Sequence, residues 1–361
     1  MLFCRLALSS LKITDFRCLE SAGIEFVQGN NLIYGPNASG KTSILEAVAY
    51  LGRGRSFRGA SAREVVRHGQ DNFVLFGNSS VGSRVVSLGV RNGTGGLEVH
   101  TDGEKRASAA ALAESLPLQI IDPDVHKLIA GGPEDRRRYI DWIAFHVEHG
   151  YLDLWRRYRR ALKQRNAALR GKVRAEGLTG WDRELVELGG LLNDARERVL
   201  DITRPGLQEL GNSLVGCTID FDYQRGWAAD RSLSEALIVS VERDRQVGTT
   251  HAGPHRGDLK LKLDERQARK LVSRGQQKLL ACALILSATG VVQTHLDQRL
   301  LLLLDDPAAE LDSDSLSRLM GVVGNLGCQV VATTLEANRD LFDAPPRLFH
   351  VEHGVVRTVG W

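Results

Sequence analysis

The chain has 361 residues, 43% of them hydrophobic and 25% charged, which is typical of a globular protein with a large buried core in one or two domains. Its formal net charge of +3 is too small by itself to indicate a polyanionic partner, so any basic surface must be local. The five scattered cysteines, without CxxC spacing, predict a reduced cytoplasmic protein without a zinc site, and the lack of a long apolar run predicts that no segment spans a membrane.

Three zones follow one another along the chain. Residues 1 to about 115 are predicted as short strands with Gly and Asn turns and one helix, and residues from about 123 to 250 are predicted mostly as helices. From about residue 255 the segments "LKLKLD", "GQQKLLACALILSATGVV", "RLLLLLDD" and "CQVVATT" alternate strand and helix. The expected fold class is therefore α/β, with one lobe formed by residues 1–115 and 255–361 and a mostly helical lobe, residues 116–254, inserted between them.

A phosphate-binding loop is the strongest local signal. The stretch "GPNASGKT" fits the pattern GxxxxGK[ST], follows the apolar strand "NLIY" and precedes the helix "TSILEAVAYL", which Gly52 is predicted to close. The backbone N–H groups of such a loop cradle the β-phosphate of a nucleotide, while Lys41 neutralises the β- and γ-phosphates and Thr42 ligates Mg²⁺. Glu46 is expected on the helix surface. The predicted nucleotide-binding residues of this loop are Gly35, Pro36, Asn37, Ala38, Ser39, Gly40, Lys41 and Thr42.

A P-loop of this kind needs a carboxylate at the end of a neighbouring strand to hold Mg²⁺. The five leucines of "RLLLLLDDPAAELD" predict a strand that is buried on both faces, as in a parallel sheet. Asp305, at the end of that strand, is the predicted metal carboxylate, and Asp306 is placed to polarise the attacking water. Asp306 and Lys41 are therefore the candidate catalytic residues. The alternative is that the two aspartates only cap the strand end.

The stretch "LVSRGQQKLL" precedes a long apolar segment. Ser273 and Gln276 fit a capping box, S-x-x-[EQ], which satisfies N–H groups at a helix start. The box does not explain Gly275, where the missing side chain lets another molecule approach the backbone closely. A helix start with a hydroxyl is a second potential anion site. Because the first loop already wraps the phosphates, a second copy of the chain could supply this one.

These motifs resemble those of ABC-type ATPases. "SRGQQK" is similar to their signature loop, in the form found in the RecF family of bacterial recombination-mediator ATPases with SMC-like heads. The resemblance runs from "LKITDFRCLESAGIEF" through "GRGRSFR", "GGPEDRRRYID" and "GPHRGDL" to "LLLLDDPAAELD" and "VVATT", over nearly the full length. Four positions depart from the family pattern. They are Ala38 for glycine, Gly257 for aspartate, Arg274 for glutamine and Ala309 for serine.

The resemblance implies an ATPase head with ATP and Mg²⁺ as cofactors. ATP would lie between the two subunits of a homodimer, with the P-loop of one facing Ser273, Gly275 and Gln276 of the other. It further implies a switch that hydrolyses ATP slowly and binds double-stranded DNA and junctions at single-strand gaps, in DNA replication, repair of DNA damage and the SOS response. RecO and RecR are the implied partners in loading the RecA recombinase, and no membrane is implied.

Two other functions would also use a P-loop. One is the energising subunit of an ABC transporter, against which the "SRGQQ" form and the long helical insertion count. Thr333 or Thr334 is also expected where other ABC ATPases place a histidine that senses the γ-phosphate. The other function is that of an OLD-type ATPase, which needs a nuclease domain for which we expect no room after residue 313.

Three weaker signals leave alternatives open. An arginine of "GRGRSFRG", namely Arg53, Arg55 or Arg58, could reach phosphate, or the three could belong to a solvated basic loop. His251 and His255 have His-x₃-His spacing, but no strong third ligand is evident, so we do not expect a metal there. The segment from Trp155 to Ala175 has nine Lys or Arg and no Asp or Glu, with Arg165 on its otherwise mostly apolar face. That segment predicts either a solvated helix face or a stripe that contacts the DNA backbone.

Overall fold

The structure is a computed structural model that describes residues 7–81, 84–171, 175–264, 266–267 and 272–359. Cys4, Lys172 and Arg174 lie outside these ranges. The chain forms two compact units, one from Met1–Val125 with Leu296–Trp361 and one from His126–His295. The expected lobe boundaries, 115/116 and 254/255, lie earlier in the chain at both junctions. The second junction differs more because the long apolar helix after Ser273 belongs to the second unit.

The first unit contains a six-stranded antiparallel sheet. In spatial order its strands are β2 (Leu19–Glu25), β1 (Leu8–Phe16), β4 (Asn72–Val81), β5 (Arg84–Gly93), β6 (Glu98–Thr101) and β7 (Glu104–Arg106). Its central strands alternate, so that Leu11 and Ile13 of β1 are buried while Lys12 between them is exposed. This period of two fits a sheet with one covered face and one open face.

A second sheet in the same unit carries the predicted phosphate motif. In spatial order its strands are β15 (Val355–Val359), β14 (Arg347–Glu352), β3 (Asn30–Tyr34), β13 (Gln329–Thr334), β12 (Leu301–Asp305) and β8 (Leu118–Ile121). All neighbours pair in parallel except β14 and β15, which form an antiparallel hairpin. Every residue of β12 is buried, which confirms the predicted strand with two covered faces.

Helices of the first unit pack against these sheets. Among the described residues they are α1 (Lys41–Arg53), α2 (Ala62–Val65), α3 (Ala110–Ser115) and α10 (Ser313–Leu326). The prediction that Gly52 closes α1 is wrong, because Gly54 is the left-handed C-cap, at φ 66°. Gly52 instead lies inside the helix, where a Cβ would stand 2.4 Å from Leu118 Cδ2. This glycine therefore permits close packing on β8 and does not end the helix.

The second unit is mostly helical. Its helices are α4 (Lys127–Ala130), α5 (Pro133–Val147), α6 (Tyr151–Arg170), α7 (Thr179–Val215), α8 (Leu233–Val247) and α9 (Arg274–Leu296). A small antiparallel sheet accompanies them, in the order β11 (Arg266–Gln267), β10 (Asp258–Leu263) and β9 (Ile219–Gln224).

Helix α9 is the one described helix whose length and composition would also suit a membrane span, with a mean hydropathy of 1.7 over its most apolar window of 18 residues. Most of that window, 67%, is buried inside the protein. Core helices are apolar for the same reason as membrane helices, namely that their side chains are removed from water. The apolar character of α9 is therefore accounted for by its packing.

A buried arginine fixes how α6 faces the rest of its unit. Arg165 has no exposed side-chain surface, and it donates from Nε to Asp182 Oδ1 at 2.6 Å and from Nη1 to Asp244 Oδ2 at 2.7 Å. Its Nη1 also donates to Thr250 Oγ1 at 2.8 Å. Asp244 is itself fully buried. The basic run of the sequence is thus divided, since Arg165 belongs to the interior while Arg156 remains exposed.

Replacing Asp244 should test the importance of this buried pair. Asp244→Ala leaves the Arg165 guanidinium with less compensation in the interior, so we expect the free energy of unfolding to fall by about 3–5 kcal/mol. Asp153→Ala, which removes an exposed partner of Arg156, is the control and should cost less than about 1 kcal/mol. Urea denaturation measures both values. Similar losses in the two variants would contradict a structural role for the buried pair.

Candidate nucleotide site

The predicted phosphate loop joins β3 to α1 and has the backbone that this motif requires. A Cβ at Gly35 would lie 2.1 Å from the carbonyl oxygen of Val351, so only glycine fits there. Gly40, at φ 113°, is the N-cap of α1. Ala38 has φ 59°, which for a residue with a Cβ costs roughly 1–2 kcal/mol. The alanine that stands here in place of the family's usual glycine therefore adopts a left-handed backbone, which glycine would adopt more easily.

Lys41 lies across the start of the loop. Its Nζ donates to the carbonyl oxygens of Gly35 and Pro36, each at 2.8 Å. Burial lowers the pKa of the Lys41 ammonium, while the nearby carboxylates of Asp305 and Asp306 oppose that shift. An anionic phosphate beside Nζ would also favour the charged form. The positive charge of Lys41 is therefore only partly compensated by the groups around it.

The end of β12 meets this loop. Thr42 Oγ1 donates to Asp305 Oδ1 at 3.0 Å, and Thr333 Oγ1, from the end of β13, donates to the same oxygen at 2.7 Å. Asp306 follows in a left-handed conformation, at φ 49°, and its N–H donates to Thr333 Oγ1 at 3.1 Å. The structure therefore brings together the hydroxyl and the carboxylate that the sequence predicted as metal ligands, from opposite ends of the chain.

A cavity of about 270 Å³ opens over these groups. The predicted site residues that line it are Asn37 to Thr42, Asp305 and Asp306. Gly35 and Pro36 do not line it, and their carbonyl oxygens accept hydrogen bonds from Lys41. Its other lining residues are Cys18, Ser43, Arg58, Thr333, Thr334 and Leu335.

The residues present fit a nucleoside triphosphate with Mg²⁺. Ser39 Oγ is a buried hydroxyl that has no hydrogen-bond partner among the described residues, and the first N–H groups of α1 have no acceptor within the helix. With Lys41, these donors suit phosphate oxygens. Thr42 and Asp305 offer the oxygen ligands that Mg²⁺ prefers. Bound Mg²⁺ would neutralise phosphate charge. Phosphate oxygens and water would complete its coordination.

A hairpin at the far end of the chain supports the loop, and the sequence did not reveal it. The N–H of Gly354, between β14 and β15, donates to the carbonyl oxygen of Ser39 at 2.9 Å. Gly354 has φ 77°, and a Cβ there would lie 2.7 Å from the carbonyl oxygen of Cys18. The strand before it supplies the Val351 carbonyl that faces Gly35. The only local signal was a glycine turn, "EHGV", which does not indicate its long-range contact.

Glu46 was expected on the helix surface, and this expectation is wrong. The residue is fully buried and accepts hydrogen bonds from Arg17 Nε at 2.9 Å and Nη2 at 2.7 Å. Ser56 Oγ also donates to Glu46 and accepts from the N–H of Arg58 at 3.0 Å. Glu46 therefore ties the basic loop to the phosphate-loop helix, and this loop places Arg58 at the cavity wall.

The "GPHRGD" motif has structural contacts within the second unit. Asp258 accepts from Arg136 Nε at 2.7 Å and Nη2 at 3.2 Å. His255 Nδ1 lies 2.6 Å from the hydroxyl oxygen of Tyr158, and burial lowers the pKa of this histidine to about 4. His251 Nδ1 lies 2.8 Å from a carboxylate oxygen of Asp244. Both histidines are half-buried, and these contacts give each of them a polar partner within the second unit.

The predicted signature loop begins α9 in the second unit. Ser273 N–H donates to Gln276 Oε1 at 3.0 Å, and Gln276 N–H donates to Ser273 Oγ at 3.3 Å, which is the predicted capping box. Ser273 and Gln276 are exposed, and Gly275 is half-buried. Leu271, the first residue of the quoted stretch, lies outside the described residues. The hydroxyl of Ser273 is an acceptor in the box, so its proton remains available to a further acceptor.

The parallel sheet, the phosphate loop and the carboxylate beside it define an ATPase head of the ABC/SMC type. The sequence profile of the RecF/RecN/SMC N-terminal domain matches residues 7–356. The DNA replication and repair protein RecF of Azotobacter vinelandii is 41% identical over 359 residues, covering 97% of this chain and 98% of that protein. The chain belongs to the RecF/RecN/SMC family and, within it, to the RecF proteins.

Solved structures agree with this assignment. The recombination mediator protein RecF with ATP, from the RecFOR pathway, is similar with a TM-score of 0.89 at 25% identity, over 99% of this chain and 98% of that one. An Smc head bound to the C-terminal winged-helix domain of ScpA is similar in fold, with a TM-score of 0.62 at 16% identity, over 98% of this chain and 96% of that one. The helical insertion in the α/β head is consistent with both.

Gly354→Ala should weaken nucleotide binding through the supporting hairpin. The added Cβ would press on the Cys18 carbonyl, so we expect roughly tenfold weaker binding of a fluorescent nucleoside triphosphate, equivalent to about 1.4 kcal/mol. Gly103→Ala is a matched control, because Gly103 has a similar φ of 80° but open space around its Cβ position. Both variants carry the same backbone strain. Equal affinities in the two variants would show that the hairpin does not set the loop geometry.

Proposed function

We propose that this protein is an ATP-dependent DNA-binding switch that acts in the repair of single-strand gaps. ATP binding would join two copies of the chain on DNA, and slow hydrolysis would release them. The observation that carries the proposal is the contact of Thr42 with Asp305 beside the Lys41 loop, because it assembles a phosphate cradle and a metal site in one cavity. The relatives named for DNA replication and repair support it and do not favour a transporter subunit or an OLD-type ATPase.

Within one subunit, each predicted residue has a distinct task. Lys41 and the loop N–H groups hold the phosphates, while Thr42 and Asp305 hold Mg²⁺. Asp306 orients the attacking water and accepts its proton. Two observations support this role for Asp306, namely its position in the cavity wall and the bond from its N–H to Thr333, which fixes the backbone at the strand end. Arg58 lines the same cavity and adds a guanidinium that can pair with phosphate.

The second half of the site comes from a partner subunit. The exposed start of α9 offers N–H groups, a helix dipole and the Ser273 hydroxyl, which together favour an anion. The half-buried Gly275 adds no side chain that would obstruct approach to this helix start. A γ-phosphate held by the P-loop of one subunit would thus be completed by Ser273 to Gln276 of the other.

Ser273→Arg tests the shared site directly. The variant should still bind ATP, because its P-loop is intact, but it should lose ATP-dependent dimerisation and hydrolysis. Lys41→Arg should also lose ATP-driven dimerisation, because a planar fork cannot replace a compact ammonium. A mixture of the two variants places both lesions in one composite site and leaves the other intact, so some dimer and some hydrolysis should return. Light scattering and phosphate release measure these outcomes.

Two results would contradict this arrangement. Full dimerisation by Ser273→Arg alone would show that the loop is not shared between subunits. Loss of only about 1 kcal/mol of stability, with normal hydrolysis, would show that Ser273 merely caps its own helix.

DNA would be held through its backbone by the exposed face of α6. We define the basic stripe as Arg156, Arg159, Arg160 and Lys163, all of which are exposed. Arg159, Arg160 and Lys163 form no ion pair with a carboxylate among the described residues, and the Arg159 guanidinium lies 4.6 Å from the centre of the Trp155 ring. Cations without local compensation attract phosphates, whatever the base sequence. The buried contacts of Arg165 keep this stripe turned outward.

Removing three charges of the basic stripe should weaken DNA binding. For Arg159→Gln/Arg160→Gln/Lys163→Gln we expect lower affinity for a gapped duplex and a dependence of log affinity on log salt that is shallower by about 2–3, at about 0.9 per lost phosphate contact. The control is Arg63→Gln/Arg231→Gln/Arg357→Gln, which removes equal charge from exposed positions elsewhere. Fluorescence anisotropy at several salt concentrations gives both slopes. Equal slopes for the two triple variants would show that the basic stripe is only solvated and does not contact DNA.

The proposal places the protein in the cytoplasm with RecO and RecR as partners at junctions of double- and single-stranded DNA. Support comes from the solved relative of the RecFOR pathway. The described cysteines, Cys18, Cys217, Cys282 and Cys328, are all free thiols, as suits a reducing compartment.

A further inference from the structure

Thr333 occupies the centre of the hydrogen bonds at the end of the parallel sheet. Its side chain is 1% exposed. Its hydroxyl donates to Asp305 Oδ1 at 2.7 Å and accepts from the N–H of Asp306 at 3.1 Å. One hydroxyl therefore joins the side chain of the predicted metal carboxylate to the backbone of the predicted base.

Thr334, the next residue, makes a different contact although it lines the same cavity. Its hydroxyl donates to the carbonyl oxygen of Glu336 at 2.6 Å, within its own turn. Neither contact of Thr333 is duplicated by Thr334. The two adjacent threonines thus share residue type, strand and cavity but differ in what their hydroxyls hold.

We propose that Thr333 is a positioning residue that aligns Asp305 and Asp306 for the Mg²⁺-dependent reaction. This inference rests on the proposed function. It differs from the expectation that Thr333 or Thr334 senses the γ-phosphate, because the single proton of the Thr333 hydroxyl is already donated to Asp305. A direct bond to phosphate would require that proton to leave the carboxylate.

The physical effect of the hydroxyl follows from its burial. Asp305 Oδ1 accepts from both Thr42 and Thr333, and two donors on one oxygen restrict the rotation of the carboxyl group. The remaining carboxylate oxygen, Oδ2, is then held in a fixed direction. The backbone of Asp306 also needs a restraint, since its left-handed conformation is uncommon for a residue with a Cβ. The bond from its N–H to Thr333 supplies that restraint.

The central test is Thr333→Val, which keeps the branched shape and removes the hydroxyl. We expect binding of a fluorescent ATP analogue in EDTA to stay within about twofold of the unmodified protein, since the loop donors are untouched. The increase in affinity on adding Mg²⁺ should shrink by about tenfold, and kcat for ATP should fall by at least about tenfold, as a lost bond to a charged group predicts. Circular dichroism confirms that the variant is folded.

Two further variants separate positioning from general damage. Thr333→Ser retains a hydroxyl and should restore the Mg²⁺ response and most of the turnover. Thr203→Val, at a buried threonine of α7 whose hydroxyl donates to the carbonyl oxygen of Val199, is the matched control and should leave the Mg²⁺ response unchanged. The inference is overturned if Thr333→Val responds to Mg²⁺ like the unmodified protein, or if Thr333→Ser is as impaired as Thr333→Val. Failure of the unmodified protein to bind the ATP analogue would instead reject the proposed function itself.

Discussion

The parallel pairing of β3, β13 and β12 is the constraint on which the site depends. Thr334 pairs with Tyr34 and Thr333 pairs with Asp305, so the carboxyl ends of the three strands finish together. Parallel strands expose their following residues at the same edge of a sheet. The phosphate loop, the pair of aspartates and the pair of threonines therefore converge, although these three segments are far apart in sequence. A shift of one residue in either pairing would turn Asp305 toward the opposite face.

Close contact between backbones is the second condition. Gly35 faces the Val351 carbonyl, and Gly354 faces that of Cys18, at distances that leave no room for a side chain. Buried polar contacts then connect the surrounding segments, as when Glu46 binds both Arg17 and Ser56. The phosphate loop is consequently held from several directions before any ligand contributes. Preorganised donors of this kind bind an anion without a large cost of reorganisation.

The sequence predicted the features that depend on local pattern. The loop from Gly35 to Thr42, the buried leucine strand and the Ser273–Gln276 capping box each depend on residues within a few positions of one another. The sheet then brought Asp305 to Thr42, as general rules for parallel strands required.

Features that depend on distant contacts were missed. The local pattern of the helix predicts that Glu46 is exposed. Its burial is explained by Arg17, which comes from the turn between β1 and β2. Gly52 is near the helix end and resembles a cap, but Leu118 determines its role. The aspartate of "GPHRGD" acquires its contact with Arg136 from another helix. In each case the partner is remote in sequence, and no local periodicity identifies it.

The hairpin that supports the phosphate loop is synthesised after the loop itself, so the loop gains this support late in translation. A ribosome that has synthesised the chain as far as Thr334 has made the whole phosphate motif, both aspartates and the three central strands. The Gly354 N–H that holds the Ser39 carbonyl does not yet exist. A nascent or prematurely ended chain of that length therefore contains every recognisable motif but lacks the support behind its phosphate loop. Full preorganisation for nucleotide is in this way confined to molecules that have been translated past Gly354.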